Sequence, residues 1–170
     1  MAQLDVAVIN KPRRALTLKS EIIAEEDLLL VTGPVHADVL PSMKFSGLAA
    51  LKLVFPTRRH GLRGVIESFA EAEDVNLSPS LEIDSISAIL KLVRESDFCT
   101  LLPHVAVRGQ LERSELKGHR FVSPRLRRQI VAVTDPRRPL SPAAATFLSV
   151  LRRHLVGLGS VSPRGDDGRP

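Results

Sequence analysis

Apolar residues in this chain occur in two patterns, continuous runs and helical repeats, and the two patterns alternate along the sequence. The runs are short, rich in Val, Ile and Leu, and bounded by turn residues, which is typical of buried β-strands. They cover residues 5–9, 26–33, 51–55, 80–84, 98–102 and 128–134. Strands that alternate with helices predict mainly parallel sheets with right-handed connections. The sequence therefore predicts an α/β fold.

Three segments carry apolar residues at helical spacing, at 62–69, 86–93 and 147–155. Asp84 precedes the second segment and is expected to cap that helix through its carboxylate. Ser141 and Pro142 are expected to cap and to open the third helix. Pro103 suits the first position of a further short helix that ends near residue 107. Residues 158–170 are rich in Pro, Gly and charge, and we expect them to be disordered.

Length and composition limit the class of protein. A chain of 170 residues with 44% hydrophobic content can form one ordinary domain or two small lobes with a real core. The formal net charge is +5, but the arginine pairs that supply most of the positive charge are scattered along the chain. A nucleic-acid interface usually gathers such charge on one face, so we expect solvated surface charge instead. The absence of Trp and Tyr also leaves little for stacking on bases.

The expected location is a reducing compartment. Cys99 is the single cysteine, so no internal disulfide can form. No basic segment followed by a long apolar one opens the chain, and no run approaches the roughly 20 apolar residues that span a bilayer. We expect a soluble, cytoplasmic protein without membrane contact.

The segment from Thr57 to Gly61 directly follows the third apolar run and carries the densest positive charge. Thr57 offers a hydroxyl, Arg58, Arg59 and His60 add charge and donors, and Gly61 permits a tight turn into the helix, whose first amides are partly positive. The segment is a candidate cradle for an anion or carboxylate. An equally open alternative is that Thr57 only caps the helix and that the arginines, including the one at position 63, are exposed.

Two further strand exits would face the same crevice if their strands are neighbours. Asp84 and Ser85 occupy the second exit, and Pro103 marks the third. For Asp84 the competing interpretation is helix capping, and for the third exit it is core packing.

Catalytic, metal and cofactor chemistry have no recognisable pattern here. His60 could serve as a general base, but no nucleophile with an orienting acid accompanies it. The five histidines lack ligand spacing, Cys99 lies in an apolar run where a packed thiol is expected, and no glycine-rich phosphate loop is present. We predict no catalytic residue, no metal and no cofactor.

The order of five segments resembles the effector-binding domain of LysR-type transcriptional regulators. The segments are "DVAVIN", "EDLLLVTGP", "LVFPTRRHGLR", "LEIDSISAILKLVRESDFCTLLPHVAVRGQL" and "RPLSPAAATFLSVLRRHL", and together they extend over residues 4–155. One departure is "RESDFCTLLP", where most relatives place glycines before the strand.

The resemblance implies a fold like that of type 2 periplasmic binding proteins, with two α/β lobes, two crossover strands and a small effector in the cleft. Residues 1–29 and 131–157 would belong to an incomplete first lobe, and residues 30–130 to the second. The residues that match the effector-contacting segment, or line the same cleft, are Thr57, Arg58, Arg59, His60, Gly61, Asp84, Ser85 and Pro103.

By the same resemblance, the chain would be the C-terminal, effector-sensing part of a regulator. It would bind a small organic anion or amino-acid-like metabolite and would not contact DNA, because the family reads DNA with a winged helix-turn-helix that does not precede Met1 here. Two alternatives stay open: a truncated regulator that acts only by dimerising with itself or with an intact relative, and a small enzyme that uses the Thr57–His60 loop.

Overall fold

The computed structural model describes residues 4–12, 16–36 and 42–157. In chain order its elements are β1 (Ala7–Asn10), β2 (Lys19–Thr32), β3 (Ser42–Lys44), a 3₁₀ helix (Phe45–Ala50), β4 (Val54–Phe55), α1 (Gly61–Ala72), β5 (Leu81–Glu82), α2 (Ile86–Glu95), β6 (Cys99–Pro103), α3 (His104–Glu112), β7 (Lys117–Ser123), β8 (Arg127–Thr134) and α4 (Pro142–Gly157). The segment 158–170, expected to be disordered, lies outside the described residues.

The chain divides into two compact units. Unit 1 comprises Met1–Glu26 and Arg128–Pro170, and unit 2 comprises Asp27–Arg127. The chain therefore enters unit 2 within β2 and leaves it within β8. The lobe limits expected from the sequence, at residues 29/30 and 130/131, stay a prediction.

Unit 1 contains β1, the part of β2 up to Glu26, the part of β8 from Arg128 onward and helix α4. β1 pairs antiparallel with β8, and Ile23, Ala132 and Leu148 form a small buried cluster. The Ser141 hydroxyl accepts a hydrogen bond from the amide of Ala144 at 3.3 Å, which confirms the expected cap of α4.

Unit 2 contains a mixed sheet. Its strand–helix segments give parallel pairs, because β4 pairs parallel with β5 and Leu53 forms a parallel bridge with Cys99. β2 instead pairs antiparallel with both β6 and β7, whereas β3 pairs parallel with β7. Side chains of Leu, Val, Ile and Phe from these elements form the core. Gly33, just after β2, allows close packing, since a Cβ there would lie 2.2 Å from the carbonyl oxygen of Val93.

One expectation about an element in unit 2 was wrong, and one strand was missed. α3 begins at His104 and runs to Glu112, whereas Pro103 ends strand β6 and pairs with Leu28. β7 was not expected from the sequence at all, because only His119 and Phe121 of its seven residues are buried and no apolar run marks it.

Asp27 joins the two ends of unit 2. Its carboxylate accepts hydrogen bonds from Arg125 at 2.8 and 3.1 Å and from Arg127 at 3.0 Å. Partial burial opposes ionisation of Asp27, but the two guanidinium groups outweigh it and lower the pKa of the carboxyl. This ion pair therefore holds the entering and leaving strands of the unit together.

Among the described helices, none is both long and apolar enough to cross a membrane.

Candidate functional site

Three strand exits lie at one edge of unit 2. β4 leads into α1, β5 into α2 and β6 into α3. The parallel pair β4–β5 and the parallel bridge from Leu53 to Cys99 orient all three strands the same way. Because the carboxyl ends of parallel strands meet at one edge, the expected site residues at 57–61, 84–85 and 103 share that edge, where the three helices begin.

Thr57 and Asp84 are in direct contact across two of these exits. The Thr57 hydroxyl donates to Oδ1 of Asp84 at 2.5 Å, and the Thr57 amide donates to the same oxygen at 3.2 Å. Asp84 is exposed to solvent. The hydroxyl of Thr57, with smaller contributions from its amide and from the charge of Arg59, lowers the pKa of the Asp84 carboxyl. Asp84 is therefore ionised at neutral pH.

The helix caps differ from those expected. Ser85, not Asp84, caps α2, because its hydroxyl accepts from the amide of Ala88 at 3.3 Å. Asp84 lies one residue too early for this role. Thr57 likewise does not cap α1. His60 does, with its ring Nδ1 accepting from the amide of Leu62 at 3.3 Å. An accepting Nδ1 leaves the proton of a neutral ring on Nε2.

The two arginines that follow Thr57 are both exposed, as the solvated-charge interpretation expected. Arg58 pairs with Glu67 through an Nε to Oε1 distance of 3.2 Å. Arg59 has no hydrogen bond or ion pair among the described residues, although it lies close enough to Asp84 to lower the pKa of that carboxyl. Its guanidinium is thus available to a ligand.

One alternative from the sequence placed the side chain of Arg63 in solvent, and for this residue that alternative is wrong. Its side chain is 5% exposed, not solvated. It donates to Oε1 of Glu82 and of Glu67, each at 3.0 Å, and to the carbonyl of Pro56 at 3.4 Å, with its guanidinium 5.3 Å from the centre of the Phe55 ring. Arg63, Ile66 and Ala70 follow one another at spacings of three and four, which could have indicated the buried face.

The start of α3 differs from the other two helix starts. Pro103 precedes it and provides no side-chain cap, whereas α1 and α2 have the caps described above. Pro103 itself is buried, so it shapes the edge without offering a polar group. The first amides of α3 therefore have no side-chain acceptor at Pro103 and add partial positive charge to the edge.

One comparison identifies the family. Residues 2–156 match the family described as the LysR substrate binding domain. The chain belongs to this family. LysR substrate-binding domains are ligand-binding parts of transcription regulators and not a class of enzymes.

Relatives of this LysR domain agree with the assignment. A probable RuBisCO transcriptional regulator of Cyanidioschyzon merolae (strain NIES-3377 / 10D) is 28% identical over 151 residues, which are 85% of this chain and 50% of the relative. The chain thus spans about half the length of that curated relative.

Solved structures confirm the fold. The effector binding domain of QuiR in complex with shikimate has a TM-score of 0.74 at 18% identity, over 90% of this chain and 72% of that one. The CcmR regulatory domain of Synechocystis PCC6803 in complex with 2-PG has a TM-score of 0.73 at 17% identity, over 89% and 73%. The expected class, α/β and like type 2 periplasmic binding proteins, is confirmed for this LysR domain.

Cys99 and metal binding are two further features that bear on the chemistry of the LysR domain. Cys99 is buried, and its burial, together with the charge of Asp97, raises the pKa of the thiol to about 11. The thiol is therefore protonated and packed at neutral pH. Within residues 4–12, 16–36 and 42–157, no three His, Cys, Asp or Glu side chains form a group that could hold a metal ion.

Proposed function

We propose that this LysR domain binds a small organic anion as its effector, at the edge of unit 2 where β4, β5 and β6 end. The contact between Thr57 and Asp84 carries the proposal, since it brings two expected site segments together beside the free guanidinium of Arg59. The proposed contacts are Thr57, Arg58, Arg59, His60, Gly61, Asp84 and Ser85, with Pro103 as part of the wall.

The electrostatics of this edge favour a negative ligand. Three helices begin there, and the first amides of each helix carry partial positive charge. Arg59 and the Nε2–H of His60 add donors that a carboxylate or phosphate accepts. The domains of QuiR and CcmR, which share the fold, are in complex with shikimate and 2-PG, and this supports a small-molecule ligand here.

The role of such binding is sensing within a transcription regulator. We propose that the chain senses the effector as part of a transcription regulator in the cytoplasm. We further propose that it forms a homodimer, or a heterodimer with an intact relative, and that it does not itself contact DNA. The arginine pairs are scattered along the sequence, which favours solvated surface charge over a nucleic-acid interface.

A matched pair of arginine substitutions tests the anion site. Arg59→Gln removes a free cation from the proposed site, and Arg153→Gln removes an exposed one from α4 in unit 1, so the two variants have the same net charge. Calorimetric titration with a panel of carboxylates and phosphates should show at least one that binds the wild type. For that ligand we expect Arg59→Gln to weaken binding about tenfold, because a charge-assisted hydrogen bond is lost.

Arg153→Gln should bind the same ligand as the wild type does. Equal affinities of all three proteins would contradict the proposed site, and a wild type that binds no member of the panel would contradict the proposed function.

A further inference from the structure

The two carboxylate oxygens of Asp84 have different surroundings. Both donors of Thr57, its hydroxyl and its amide, point to Oδ1. Oδ2 has no hydrogen-bond partner among the described residues, and the side chain is exposed. Two donors on one oxygen hold the carboxylate in place and leave the other oxygen free to accept.

The other polar groups at this edge are donors or are already used. Ser85 accepts from the amide of Ala88 and pairs with the hydroxyl of Ser87 at 2.9 Å. His60 accepts through Nδ1 from Leu62, so that its Nε2 donates. Arg59 can only donate. The site thus combines several donors with one fixed, negatively charged acceptor.

A ligand with only anionic groups fits this arrangement poorly. It would place negative charge beside the Asp84 carboxylate, and like charges in one site repel. A ligand that carries a hydroxyl or ammonium group beside its anionic group would instead donate to Oδ2 while its anionic group accepts from the surrounding donors.

We propose that Asp84 determines specificity in this site by selecting effectors that carry a hydrogen-bond donor next to an anionic group, namely hydroxy acids or amino acids. This inference rests on the proposed function. It assigns Asp84 a role in reading the ligand, whereas Thr57 positions Asp84 and need not touch the ligand through its hydroxyl.

Matched ligands test this role. Succinate, malate and aspartate share a four-carbon dicarboxylate skeleton and differ by the hydroxyl of malate and the ammonium of aspartate. Dissociation constants from two-dimensional NMR titrations of the full chain measure even weak binding. For the wild type we expect malate or aspartate to bind about tenfold more tightly than succinate, the effect of one hydrogen bond to a charged acceptor.

Two substitutions complete the experiment. In Asp84→Asn, the amide oxygen can keep the Thr57 bonds, so that an NH₂ donor replaces the free acceptor. The preference over succinate should then disappear. The control is Asp97→Asn, which neutralises another exposed aspartate of unit 2, one that pairs with Lys52 at 3.1 Å and precedes β6, away from the strand exits. It should keep the wild-type preference.

The outcomes separate the two proposals. If the wild type binds no member of the panel of carboxylates and phosphates, these three ligands included, the proposed function fails and the inference fails with it. If the wild type binds all three equally, only the inference is overturned. Equal tightening of all three ligands by Asp84→Asn would also overturn it, because the Asp84 carboxylate would then repel every anion and would not distinguish one ligand from another.

Discussion

A single hydrogen bond, from the Thr57 hydroxyl to Asp84, connects two strand exits that are 27 positions apart in the sequence. It is the largest cause of the lowered pKa of Asp84, ahead of the charge of Arg59. The Thr57 hydroxyl, more than a neighbouring arginine, therefore lowers the pKa of this carboxyl and orients the carboxylate. The orientation of Asp84 thus depends on a residue of another loop.

Replacing Thr57 by Val tests this dependence. The substitution keeps the shape of the side chain and removes the hydroxyl, so we expect the pKa of Asp84 to rise towards its ordinary value of 3.8. NMR titration of the Asp84 carboxyl carbon measures the change. Because the folded-state pKa is lowered in the wild type, the stabilisation is present above 3.8 and is lost as the pH falls through the lowered value.

The control for this titration is Thr134→Val, which removes a half-buried hydroxyl from β8. It should leave the pKa of Asp84 unchanged. An Asp84 pKa that is the same in Thr57→Val and in the wild type would show that the hydroxyl does not govern this carboxylate.

Single residues of the site were predictable only in part. The segment from Thr57 to Gly61 stands out because charge follows an apolar run. The sequence could not distinguish Asp84 from Ser85 as the cap of α2, since both residue types cap helices and helix starts are uncertain by a residue or two. It also could not show that Asp84 meets Thr57, because that contact depends on the pairing of β4 with β5.

Among the elements of unit 2, α1, β4 and β5 are joined by Arg63. The arginine lies on α1, the carbonyl of Pro56 directly follows β4, and Glu82 ends β5. The same guanidinium thus fixes the ends of both strands whose exits carry Thr57 and Asp84. A buried cation at this point relies on its acceptors, because an unpaired charge in the core is costly.

Arg63→Met tests the contribution of this contact to folding. Met keeps much of the apolar stem, but the Pro56 carbonyl and Glu82 lose their donor, so we expect the free energy of unfolding to fall by roughly 2 kcal/mol. Arg58→Met is the matched control, since Arg58 pairs with the same Glu67 but its side chain is 79% exposed. It should change stability by less than about 0.5 kcal/mol.

Urea denaturation measures both variants under the same conditions. Equal loss of stability in Arg63→Met and Arg58→Met would mean that the buried contacts of Arg63 contribute no more than a surface ion pair does.

Elements with a clear period were predictable, and the others were not. α1 and α2 have apolar residues on one face, and both were expected at the right positions. α3 buries only Val107, so its helical period was too weak to show its full length to Glu112. β7 consists mostly of polar residues, so no apolar run marks it in the sequence. Its place in the sheet comes from pairing with β2 and β3.

At the scale of the whole molecule, the chain is a LysR substrate-binding domain in which a continuous stretch, Asp27–Arg127, forms one compact unit and the two flanking stretches form the other. All the proposed ligand contacts lie in the continuous unit. We therefore expect the effector to bind at one edge of unit 2.

The most direct test of this claim is a two-dimensional ¹H–¹⁵N spectrum of the assigned chain during titration with malate, with sodium chloride at equal ionic strength as the control. We expect saturable shifts that are largest for the amides of residues 57–61, 84–85 and 104–106, and that sodium chloride does not reproduce. Shifts that are largest in unit 1, or that sodium chloride reproduces, would contradict the proposed site.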